Sequence, residues 1–139
     1  MADLKISQLT NATTPLAGSE QIPLVQSGVT KKTTVTDLMI QNINAQTGTT
    51  YTLVLLDANR VVTLSNASAV TLTVPTNASV AFPIGTTVTI AQTGAGQVTV
   101  SSSATIRATP GAKLRAQYST ASLIKIAADE WLLVGDLTS

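Results

Sequence analysis

Asp57, Asp129, Glu130 and Asp136 are the acids set among the apolar runs that follow residue 50. Two carboxylates that converge in a cleft would do hydrolytic acid–base chemistry. Asp129 and Glu130 are chain neighbours, so on a strand they would point to opposite faces. They also fall between two apolar runs, where turn chemistry is the favoured reading. A nucleophilic Ser or Thr needs a base, and the sequence holds no His and no Cys. Only a Lys or a carboxylate remains for that role, and no known motif frames one. Gly94-Ala95-Gly96 lacks the following helix and the Lys-Ser/Thr pair of a phosphate loop. Its glycines are expected to supply positive φ in a hairpin turn instead. No enzyme activity, no cofactor and no metal site is expected from these residues.

The basic residues are read in two ways. Lys113 and Arg115 alternate as on one strand face, and Arg107 precedes them, so the three form a candidate exposed contact face for an acidic protein surface or a glycan. The plainer reading is a solvated strand face, because exposed charges contribute little to binding or stability. Trp131 would suit a sugar-stacking platform. The apolar residues Leu132, Leu133 and Val134 that follow it favour the core.

The elements that must position these groups read as strands. Hydrophobic residues are 44% of the 139, aromatics are few, and Val, Ile or Leu often alternate with Thr. β-branched side chains in that alternation fit a pleated surface. From Tyr51 onward, short runs come one after another: residues 51–56, 62–64, 70–74, 87–90, 98–100, 106, 114, 123–127 and 131–134. Turn residues separate them, and Pro75 ends one run. This pattern predicts an all-β fold, an antiparallel sandwich or jelly-roll-like domain over residues 51–139. Val62-Thr63-Leu64 with Val70-Thr71-Leu72 echoes Val88-Thr89-Ile90 with Val98-Thr99-Val100. The echo is read as two ordinary hairpins drawn from one small alphabet.

Residues 1–50 are sparser in apolar side chains and are expected to form an arm. Gln26-Ser27-Gly28 is a turn between two short strands. Thr36 or Asp37 would cap a short helix through Leu38 to Ile43. Neither has Glu or Gln three positions on, so the capping box looks incomplete. The β-domain is expected to fold without residues 1–45.

Only 11% of residues are charged, against roughly 25% in an average soluble domain. The formal net charge is +1, with no basic tract suited to nucleic acid. No apolar stretch approaches the ~20 residues that span a bilayer. Eight Lys and Arg with seven Asp and Glu cover a surface of this size thinly, so part of it is expected to be buried in an oligomer.

Two stretches carry a resemblance. The first runs Lys5-Ile6-Ser7-Gln8-Leu9, then Thr14-Pro15-Leu16-Ala17-Gly18-Ser19-Glu20, then Ile22-Pro23-Leu24-Val25-Gln26-Ser27-Gly28-Val29-Thr30-Lys31, closing on residues 33–38. It resembles the N-terminal segment of tailed-bacteriophage fibre and virion proteins. The second joins Ala81-Phe82-Pro83-Ile84-Gly85-Thr86, residues 92–100, residues 113–119 and residues 131–137. It is similar to a β-domain near the ends of phage tail-fibre-like chains. The resemblance implies a virion-anchoring arm over residues 1–50, with Ile22, Leu24, Val25, Val29 and Val35 as anchoring side chains. It also implies a homotrimer, a location in the virion after synthesis in the host cytoplasm, and capsid or tail proteins as partners. No long repetitive shaft lies between arm and β-domain, which leaves room for a capsid decoration (cement) protein beside a short fibre. The alternative is a carbohydrate- or receptor-binding module for host adsorption, with a surface glycan as partner. No nucleic acid and no membrane insertion are expected.

Overall fold

The computed structural model describes residues 17–139. The phrase Lys5–Leu9 and residues 14–16 of the first stretch lie outside the described residues. The chain divides into two compact units, Met1–Ile40 and Gln41–Ser139.

In the first unit, β1 (Gln21–Gln26) and β2 (Val29–Thr34) form an antiparallel hairpin, with Gln26 opposite Val29. Ser27 (φ 53°) and Gly28 (φ 75°) both take the left-handed region, as a two-residue hairpin loop demands. A short helix, α1 (Val35–Met39), follows directly. Its N-cap is Thr34, two residues before Thr36 and three before Asp37. The Asp37 N–H donates to Thr34 Oγ1 (3.1 Å), and Asp37 Oδ2 accepts from the Thr34 N–H (3.2 Å). Asp37 therefore closes the capping box that Glu or Gln usually closes. The expected helix was thus placed about three residues too late. No residue from 17 to 40 is buried.

The second unit is two β-sheets packed over one core. The six-stranded sheet has the order β3-β5-β7-β11-β12-β9, and the five-stranded sheet the order β13-β10-β8-β6-β4. Its strands are β3 (Ile43–Gln46), β4 (Thr50–Thr52), β5 (Val61–Leu64), β6 (Val70–Val74), β7 (Thr87–Gln92), β8 (Val98–Ser102), β9 (Thr105–Ala108), β10 (Lys113–Leu114), β11 (Thr120–Ala127), β12 (Glu130–Gly135) and β13 (Leu137–Thr138). The all-β class, with a short helix in the arm, stands.

The pairing differs from an antiparallel sandwich. β3, β5 and β7 are parallel neighbours, as are β4, β6 and β8. Successive strands alternate between the sheets, so the chain winds through three stacked coils, β3–β4, β5–β6 and β7–β8. Runs read as hairpins are the two sides of one coil. Alternating Val and Thr specifies which face is buried but not the direction of the neighbouring strand, and that is where the expectation failed. The coils end against antiparallel strands, β11 beside β7 and β10 beside β8.

The internal echo is the coil repeat itself. Val61 pairs with Thr89, and Thr71 with Thr99, at one constant sequence offset. The turns stack as well. Gly94 N–H donates to Leu64 O (3.1 Å) and Gly96 N–H to Asn66 O (2.8 Å). A Cβ on Gly94 would fall on the Asn66 backbone, and one on Gly96 on the Ser68 carbonyl. Neither glycine has a positive φ. They serve close approach of stacked turns, not the hairpin geometry expected of them.

Inward positions of both sheets fill the core with Val62, Leu64, Leu72, Val74, Ile90, Val98, Leu123 and Leu133, among others. Trp131 is buried with them, its ring 5.5 Å from Phe82 in an edge-to-face contact. Outward positions carry threonine, and Thr50, Thr71 and Thr99 line up across three strands.

Candidate assembly surface and its supports

β3 and β4 are both edge strands, and both belong to the first coil. Among the described residues each leaves one row of backbone N–H and C=O groups without a strand partner, a template for another chain. Residues 41–56 contain no charged side chain to discourage such pairing. Ile43 is 68% exposed and Leu56 70%, with Val54 and Leu55 also exposed nearby in sequence.

A buried polar cluster holds this end in shape. Asp57 closes a 3₁₀ turn (Leu55–Asp57) and is only 1% exposed. Its Oδ2 accepts from the Val54 N–H (2.9 Å) and the Tyr51 hydroxyl (2.9 Å), and its Oδ1 from Asn44 Nδ2 (2.7 Å). Gln46 Nε2 donates in turn to Asn44 Oδ1 (2.6 Å). One carboxylate thus joins β3, β4 and the turn that turns Val54, Leu55 and Leu56 outward. Burial and the neighbouring Asp57 push the Tyr51 hydroxyl above its ordinary pKa.

The anchoring candidates all lie on the first unit. Ile22, Val25 and Val29 are exposed, while Leu24 and Val35 are half-buried. The basic face divides. Arg107 lies on β9 in the six-stranded sheet, where its Nε meets Glu130 Oε1 at 2.7 Å. Lys113 lies on β10 in the other sheet. Arg115, just beyond β10, forms a two-pronged pair with Asp136 (2.6 and 2.9 Å). That pair, with the Ser119 hydroxyl, holds the Asp136 carboxyl below the usual range. Arg107 thus stands on a different sheet from Lys113, with Arg115 two residues beyond Lys113.

Asp129 and Glu130 part as their adjacency requires. Glu130 pairs with Arg107, and Asp129 Oδ1 accepts the Asn77 N–H at 2.7 Å. Among the described residues no three His, Cys, Asp or Glu gather as a metal site.

Two features were missed from sequence. Lys125 is 2% exposed, its Nζ donating to Asn77 Oδ1 (2.5 Å) and Phe82 O (2.7 Å). The signal was present, since Ala121, Leu123 and Lys125 share the inward period of β11. Tyr118 is 76% exposed and held at φ 70°. No sequence signal marks that backbone state.

Compared with protein-family models, curated proteins and solved structures, the chain matches none of them.

Proposed function

We propose that this chain is a structural virion protein of a tailed bacteriophage, a short trimeric surface fibre or a capsid decoration (cement) protein, which acts by assembly. The observation that carries this reading is the first coil. It places two free strand edges and exposed Ile43, Val54, Leu55 and Leu56 on a stretch without charge. Association there buries apolar area, worth about 25 cal/mol per Å² removed from water, and pairs backbone groups otherwise left to solvent. Closed cyclic symmetry with three copies stops the growth of open fibres. The exposed apolar side chains of β1 and β2 suit attachment of the arm to a capsid or tail protein.

Immunogold labelling of intact particles with an antibody to the second unit tests the location. Decoration of heads or tails is the expected result, and particles without label would refute it.

A second reading rests on Tyr118. A bulky residue at positive φ is strained, and strain of that kind gathers at binding sites. The exposed ring would stack on a sugar face, which makes the chain a receptor-binding module. A glycan array with Tyr118→Ala as control separates the two readings.

A further inference from the structure

Lys125 and Asn77 are set up for a reaction with each other. Lys125 lies on β11, and its main chain is tied to the segment before β7: its N–H donates to Thr86 O (2.9 Å), and its carbonyl accepts from the Gly85 N–H (2.8 Å). The side chain runs inward, to a site 5.9 Å from the centre of the Trp131 ring. Phe82 packs edge-on against that ring and is itself 3% exposed. Among the described residues the ammonium group meets no carboxylate, and its partners are Phe82 O and Asn77 Oδ1. Asn77 is held from its other side, where its N–H donates to Asp129 Oδ1. The lysine nitrogen and a primary amide thus meet beside two buried aromatic rings, while Asp129, exposed, holds only the main-chain N–H of Asn77.

We infer that Lys125 and Asn77 are the donors of an intramolecular isopeptide bond. Nζ passes one ammonium proton to water and attacks Cγ of Asn77 as the amine. The Nζ–Cγ bond forms, the Cγ–Nδ2 bond breaks, and Nδ2 leaves as ammonia. The proton given up by Nζ ends on the departing nitrogen, so the step needs no oxidant, reductant or co-reactant. Fixing both groups in contact replaces a slow encounter with a near-unimolecular step. The two rings limit water that would compete with the amine. The product would lock the segment before β7 to the β11–β12 hairpin covalently.

Intact-mass spectrometry of the purified full chain, held folded at neutral pH, tests this. The expected mass is one ammonia below that of the sequence. Asn77→Ala should show its full sequence mass, and it leaves the inward lysine with its Phe82 carbonyl. A succinimide at Asn77 would shed the same ammonia, so trypsin decides between them. With the bond, cleavage after Lys125 is blocked, and residues 61–107 travel with residues 116–139 as one branched species. A full mass in the wild type, or free release of residues 116–125, would overturn the inference.

Discussion

Trp131→Ala is expected to cost about 3–5 kcal/mol, because it empties a buried aromatic site and strips Phe82 of its edge-to-face partner. Urea unfolding followed by far-UV circular dichroism measures this. An unchanged midpoint would show that the ring is not part of the packed core. Asp57→Ala removes the acceptor shared by Asn44, Tyr51 and Val54. Each buried group left unpaired costs about 1–3 kcal/mol, so the unfolding midpoint should fall clearly. Tyr51 gives a pH dependence with a definite sign. Its folded pKa lies above the ordinary value near 10, so the neutral phenol is favoured by the fold. The stability it contributes is full below that ordinary value and is lost as pH rises through the raised one. Alkaline unfolding of Tyr51→Phe should therefore lack this component, and phenolate absorbance of the wild type should show a high-pH contribution that Tyr51→Phe removes.

Strand positions were legible at the level of elements because burial imposes a period of two. Val70 to Val74 and Val98 to Val100 show it directly. Ser27-Gly28 was legible as a turn for an equally local reason, the positive φ that both residues adopt. Strand direction was not legible, since parallel and antiparallel neighbours bury the same alternation. The echo carried that information, but it was aligned with Val62 opposite Val88, whereas Val62 pairs with Ile90. The correct register makes the two turns equal in length and reveals the coil. Asp57 escaped because a lone acid after an apolar run reads as a turn residue, and only the fold brings Asn44 and Tyr51 to it. The boundary of the arm also moves. β3 begins at Ile43 and pairs with β5, so a cut after residue 45 would remove most of an edge strand. Deletion of residues 1–40 should leave the melting temperature of the second unit nearly unchanged, whereas deletion of 1–45 should lower it. Gly96→Ala should destabilise by more than about 1 kcal/mol, because its new methyl meets the Ser68 carbonyl. A melt equal to wild type would mean that the stacked turns can part at little cost.

Association belongs to the whole molecule. Size-exclusion chromatography with light scattering is expected to give three copies for the full chain. Ile43→Lys with Leu56→Lys places charge on the free end and should give one copy, with β-type circular dichroism retained. Because residues 41–56 are uncharged, added salt should not weaken the trimer, and sulfate should strengthen it. A soluble wild-type monomer at micromolar concentration would refute assembly through this end. The coil stack has a further consequence, for how such a molecule changes size. The rungs β5–β6 and β7–β8 keep one sequence offset through both strands and the turn between them. A tandem copy of one rung would meet the register of its neighbours on each side and leave the free end and the antiparallel cap as they are. Each copy would lengthen both sheets by one strand spacing, about 4.8 Å. Length in this architecture is a matter of counting rungs, so gene duplication within the frame can act as a ruler without any new strand chemistry being invented.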